Sequence, residues 1–187
     1  MAWIWQHQDW PEFRFDERKL ADFENTFLQK AGMFYGAMRH INDDDRKALT
    51  IQLMSEEALK TSEIEGEILD RESVQSSIQR QFGLKTPKQK IAPAEQGISE
   101  MMVDVYHTYD RLLDDRALFK WHEMLTYNRR DLRDIGCYRT HNDPMQIVSS
   151  SLHEPKIHYE APPSKVVKRE MTAFLSWFNQ GKERKLG

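Results

Sequence analysis

Thr61, Ser62, Glu65 and Gly66 are the residues of this chain whose types and spacing could do chemistry. On a helix advancing ~100° per residue, Ile51, Met54, Ala58, Thr61, Ser62, Glu65 and Leu69 fall on one narrow arc. The arc begins apolar and carries a carboxylate near its end. An ionised carboxylate on a buried face is costly unless a cation or several donors meet it. The spacing therefore predicts a positive charge opposite Glu65, with the Thr61 hydroxyl one turn earlier in the same small site. The bland alternative is a solvated or capping glutamate with no role beyond its own helix.

Helical periodicity dominates the elements that must position this site, and repeats and low-complexity tracts are absent. Leu20, Phe23, Phe27 and Ala31 recur at spacings of three and four, predicting a helix over Asp16 to Met38. Asn42 to Asp45 caps the next helix, expected to run from about Asp45 to Leu69, and its acids sit at the favourable N-terminal dipole end. A short helix over Glu72 to Phe82 stops at Gly83, and Lys85 to Pro93 reads as a linker. Further helices are expected over Ala94 to Leu113, from Asp114 or Asp115 to Asn128, and from a Ser164 cap onward. Val167, Met171, Phe174, Leu175 and Phe178 line one face of the last. Between Met145 and Tyr159, β-prone Ile147, Val148, Ile157 and Tyr159 flank a polar stretch, which predicts one hairpin. The fold class is mainly α, a helical bundle with one β-hairpin.

A Thr followed four residues later by Glu-Gly, here Thr61, Glu65 and Gly66 with Ser62 beside them, resembles the inhibitory helix of the Fic family of AMP-transferring enzymes. Trp3-Ile4-Trp5-Gln6, Asp9-Trp10-Pro11 and Val74-Gln75-Ser76-Ser77-Ile78 resemble the N-terminal domain that precedes many Fic cores. Trp121-His122-Glu123-Met124-Leu125 is similar to the first core helix. Gly136-Cys137-Tyr138-Arg139 and Met145-Gln146-Ile147-Val148-Ser149 resemble the approach to the substrate-binding flap, and Ile157-His158-Tyr159-Glu160-Ala161-Pro162-Pro163 its return. The resemblance runs in order along nearly the whole chain. It implies that Glu65 pairs with a catalytic arginine that would otherwise hold the γ-phosphate of ATP. It also implies a target protein aligned along the flap by Val148, Ser149, Ser150, Ile157, His158 and Tyr159, as an extended peptide added to an exposed sheet edge. ATP and magnesium are implied by the resemblance alone.

The family signature, His-x-Phe-x-Asp/Glu-Gly-Asn-Gly-Arg, does not occur in the 187 residues. Asn128-Arg129-Arg130 and His141-Asn142-Asp143 lack the glycines that let a loop wrap a phosphate. No catalytic residue is therefore assigned. The resemblance places the signature one helix beyond Trp177-Phe178-Asn179, so an ending at Gly187 reads as a truncated gene product or an expression boundary. Leu125, Phe174 and Phe178 are expected to be left partly exposed, which favours association into a homodimer.

Seven histidines raise a metal hypothesis, but none has the i, i+4 spacing of a zinc motif and no cysteine pair supports them, so no metal site is expected. His122 reads as a packed histidine with one hydrogen bond. Cys137 has no sequence-adjacent base and is not assigned as a nucleophile. Hydrophobic content of 39% with 30% charged residues fits a soluble globular protein. A formal charge of −3 and a pI near 6.2 give no electrostatic reason to expect nucleic acid or an acidic membrane. One cysteine fits a reducing cytoplasm, and no run is apolar enough for a signal peptide or membrane span. Trp3, Ile4, Trp5 and Trp10 are expected to clamp the first segment onto the core.

These observations predict two parts: residues 1–92, a regulatory domain carrying the inhibitory helix, and residues 93–187, the first part of a Fic-like core with its flap. The expected function is the regulatory and target-docking part of a protein adenylyltransferase, inactive in these 187 residues by themselves. An alternative of another class is an antitoxin-like interaction module that gives its Glu65 helix in trans to a separate core. A helical scaffold without a nucleotide-related role is the third.

Overall fold

The computed structural model describes residues 6–8, 10, 16–86, 90–149 and 156–183. It is mainly helical, with six helices and one two-stranded antiparallel sheet among those residues. The chain divides into two compact units, residues 1–46 with 141–163 and residues 47–140 with 164–187. Trp3, Ile4 and Trp5 lie outside the described residues, and Trp10 is exposed.

The first unit holds α1, Glu17–Met38, the first turn of α2, and the hairpin. Asp16 starts α1 by accepting the Arg18 N–H at 3.2 Å. The periodic stripe on α1 is present but uncovered: Leu20, Phe23 and Phe27 are 47%, 75% and 68% exposed, and the helix has no buried residue. Helix α2, Asp43–Ile64, opens with a reciprocal cap. Asn42 Oδ1 accepts the Asp45 N–H at 2.9 Å while its amide donates to Asp45 Oδ2 at 2.7 Å. In the hairpin, β1 (Gln146–Val148) pairs with β2 (Ile157–Glu160).

The second unit carries the core. Ile51, Met54 and Ala58 of α2 meet Val74 and Ile78 of α3 (Arg71–Gln81) and Ile98 and Val103 of α4 (Pro93–Thr108). Small buried residues let these helices approach closely; Ser73, Ser76, Ser77 and Ser99 are all buried. Ser99 satisfies its hydroxyl by donating to the Glu95 carbonyl at 2.6 Å. Asp70 caps α3 by accepting the Ser73 N–H at 2.7 Å. Pro93, expected in the linker, is instead the first residue of α4, where a missing N–H costs nothing. At Gly97 a Cβ would lie 1.9 Å from the Met124 carbonyl oxygen, so the crossing of α4 with α5 (Asp115–Leu125) requires glycine.

Helices α4 and α5 stop earlier than the periodicity suggests. Helix α4 ends at Thr108 rather than Leu113. Helix α5, capped by Asp114, ends at Leu125, and Asn128 takes a left-handed φ of 66°. Helix α6, Ser164–Glu183, is fixed by Asn179, whose side chain accepts the Leu113 N–H at 2.9 Å and donates to its carbonyl at 2.8 Å. Leu125, Phe174 and Phe178 are exposed at 50%, 39% and 39%.

Candidate functional site

Glu65 sits at the very end of α2, and Gly66 puts it there. Gly66 has φ +86°, which glycine reaches without the Cβ penalty. Its N–H donates to the Glu63 carbonyl at 3.0 Å, and the Glu67 N–H donates to the Ser62 carbonyl at 2.8 Å. This pair of bonds is the Schellman stop, with Glu65 as the C-cap. The helix therefore ends at Ile64, five residues before the expected Leu69.

That ending corrects the sequence expectation of a buried carboxylate. Ile51, Met54 and Ala58 are buried as the arc requires, Ser62 and Leu69 are half-buried, and Thr61 and Glu65 are exposed. The arc loses its meaning where the helix stops, so Glu65 projects from the tip rather than into the core. The Thr61 hydroxyl turns back along the helix to Glu57 Oε1 at 3.2 Å. No cation of the described residues forms an ion pair with Glu65.

Of the other two glutamates of the tip, one has an ion-pair partner among the described residues. Glu63 is bound by Lys60 at 2.7 Å, and that hydrogen bond holds its carboxyl below the usual range. Glu67 lies within the electrostatic reach of Arg129. Arg129 itself forks onto Asp131 at 2.7 and 2.6 Å and holds that carboxyl at about 2. The last turn of α2 contains no basic residue. Anions at a helix C-terminus oppose the dipole by about 0.3–1 kcal/mol, so Glu65 is placed where its own helix disfavours it.

The turn that carries Glu65 is tied down on its far side. Arg71 pairs through both guanidinium nitrogens with both carboxylate oxygens of Glu56, joining α2 to the start of α3. The Asp70 N–H points to Glu95 Oε1 at 3.4 Å. A hollow beside the tip is lined by Leu59, Ile68 and Leu69 together with Lys60, Glu63, Glu67 and Arg71. Ile64 and Ile68, which the buried arc leaves out, are both 82% exposed.

The flap residues form a separate group, in the other compact unit. Ile147 pairs with Tyr159 and Val148 with Ile157, so the register skips His158 and leaves a bulge. The Ser149 N–H donates to the Lys156 carbonyl at 3.0 Å. Ile147, Val148 and Ile157 are 62%, 50% and 42% exposed, His158 is exposed, and Ser149 and Tyr159 are half-buried. Ser150 lies outside the described residues.

Elsewhere the titratable groups are bound into structure. His122 Nδ1 accepts the Gly136 N–H at 3.3 Å, the single hydrogen bond of a packed histidine. Burial pushes the Asp104 carboxyl up, but hydrogen bonds from Lys120 at 2.5 Å and Trp121 Nε1 at 2.7 Å outweigh it, leaving the group below its usual range. Burial and a hydrogen bond to Asp115 push the Tyr138 hydroxyl up to about 12. Cys137 is exposed. Among the described residues no cluster of three His, Cys, Asp or Glu could hold a metal ion, and no helix is long and apolar enough to cross a membrane.

Residues 3–84 match the family model of a domain of unknown function, DUF4172. The matched span covers α1, α2 with Thr61, Glu65 and Gly66, and α3 to its closing turn, which is less than half of the chain. No curated protein matches the chain.

Proposed function

We propose that α2 is the inhibitory helix of a Fic-type protein adenylyltransferase and that the hairpin aligns its target. The observation that carries this is Glu65 itself: an exposed carboxylate, fixed at a helix tip by Gly66, without an ion pair among the described residues. A solvated surface glutamate needs no rigid stop immediately behind it and gains nothing from the negative end of a helix. A glutamate that must enter another site and pair with an arginine needs both reach and rigidity.

In this account ATP binds with magnesium at a Fic-type catalytic loop. Glu65 occupies the arginine that would hold the γ-phosphate, so the triphosphate is held with its α-phosphorus out of line for transfer. A correctly held triphosphate regains the in-line geometry, and the protein hydroxyl gives up its proton and takes AMP while pyrophosphate leaves. The exposed strands Gln146–Val148 and Ile157–Glu160 supply backbone groups for the target segment. A reducing cytoplasm suits the single Cys137. The test joins this chain to a Fic-type catalytic half and compares AMP transfer before and after Glu65→Gly.

A further inference from the structure

We propose that Glu56 and Arg71 form a latch that sets where the Glu65 tip stands, and that opening it relieves the inhibition. The second half rests on the inhibitory reading above; the first concerns α2 and α3 alone. Ala58 is the last buried residue of α2 and Ser73 the first of α3, and none of residues 59–72 between them is buried. The tip therefore belongs to a stretch that the core does not enclose. Leu59 and Leu69 pack at the core's margin. Among the described residues, two hydrogen-bonded ties then return this stretch to other helices. The Asp70 N–H donates to Oε1 of buried Glu95 at 3.4 Å, and Arg71 donates to Glu56.

The ion pair is the tie that a change of charge can reach. Arg71 opens α3 and reaches back across the turn to Glu56, about two turns before the end of α2. Both guanidinium nitrogens engage both carboxylate oxygens, the second bond at 3.1 Å, so the pair fixes orientation as well as distance. The Arg71 hydrogen bond holds the Glu56 carboxyl below its usual range, and Glu56 holds Arg71 above its own. Lys60, one turn along α2 from Glu56, is bound to Glu63, which leaves Glu56 to Arg71. The Arg71 and Glu56 side chains are 57% and 40% exposed, so salt screens the pair. Glu95 is 9% exposed, and its bond to Asp70 is shielded from salt. Ile51, Met54, Val74 and Ile78 keep α2 and α3 together when the pair opens, so the opening is local to the tip.

Amide exchange in the 187-residue chain tests the latch, because exchange follows the population of locally open states. Glu56→Gln keeps the shape of the side chain and removes its charge. Exchange at the Gly66 and Glu67 N–H groups should quicken about two- to fivefold, the range of an exposed ion pair. In the unchanged chain it should quicken with added salt. Exchange at Val74 and Ile78 should stay as it was, and Glu56→Arg/Arg71→Glu should restore the slow rate at the tip. Unchanged exchange at Gly66 and Glu67 in Glu56→Gln overturns the latch. Equal quickening at Val74 and Ile78 overturns it too, since the pair then stabilises the whole unit rather than the tip. Joined to a Fic-type catalytic half, Glu56→Gln should raise AMP transfer by the same factor and add nothing to Glu65→Gly. Quicker exchange without a rise in transfer, where Glu65→Gly does raise it, keeps the latch and overturns its regulatory role. No rise with Glu65→Gly either overturns the inhibitory reading and that role with it, while the exchange rates still decide the latch.

Discussion

The Glu67 N–H donates to the Ser62 carbonyl at 2.8 Å, across the left-handed Gly66, and thereby ends α2 immediately behind Glu65. A Cβ at Gly66 would meet no atom within 4 Å, so space does not select glycine there; backbone conformation does. Gly66→Ala should cost about 1 kcal/mol through the strained φ. Amide exchange at Glu67 should quicken as the stop loosens. Unchanged exchange would mean that the tip does not depend on glycine.

Gly97 and Gly32 should respond in opposite senses to alanine. A Cβ at Gly97 would lie 1.9 Å from the Met124 backbone oxygen, which cannot turn aside as a side chain can. Gly97→Ala should destabilise by about 1–3 kcal/mol through overpacking. Gly32, inside α1, has nothing within 4 Å of the same position, so Gly32→Ala should stabilise by about 0.5–1 kcal/mol. Denaturant melts of the two variants provide the comparison.

Capping was legible because it is local. Asn42 and Asp114 each bind the N–H three residues on, and short side chains before an amphipathic run announce that. The stop at Gly83 was legible for the same reason. Gly66 makes the same turn, yet Leu69 continued the apolar arc and carried the expected helix past it. Leu69 does pack at the margin of the core, so periodicity found a buried residue and assigned it the wrong element. The exposure of Glu65 followed from that one boundary. The apolar stripe of α1 was equally readable, whereas what covers Phe23 and Phe27 is not encoded in the stripe.

Stability should change with pH at two identifiable groups. Asp104 has its folded pKa below the ordinary 3.8, so its contribution is complete above that value and is lost as pH falls through the folded one. The melting-temperature gap between the chain and Asp104→Asn should therefore close in acid. Tyr138 is raised from 10 to about 12, so its contribution is complete below pH 10 and lost as pH rises towards 12. Ultraviolet titration should find one late-ionising tyrosine, and Asp115→Ala should bring it earlier. A single tyrosine transition near 10 would contradict the buried hydrogen bond.

Exposed aromatic surface should drive association. Phe23 and Phe27 on α1 and Trp177 on α6 are 75%, 68% and 66% exposed. Sedimentation should show a concentration-dependent dimer, and Phe23→Ser/Phe27→Ser should shift it towards monomer. A monodisperse monomer that binds no hydrophobic dye would show these faces to be covered.

Label transfer from ATP in the presence of magnesium tests the inhibitory tip most directly. The 187-residue chain by itself should transfer no AMP, with or without Glu65. Joined to a Fic-type catalytic half, Glu65→Gly should raise transfer by about ten- to a hundredfold, the equivalent of about 1.5–3 kcal/mol for a charge-assisted pair. Glu63→Gly, whose carboxylate is bound to Lys60, should change it little. If Glu65→Gly leaves transfer unchanged, or lowers both transfer and melting temperature, Glu65 is a structural residue and α2 is not an inhibitory helix.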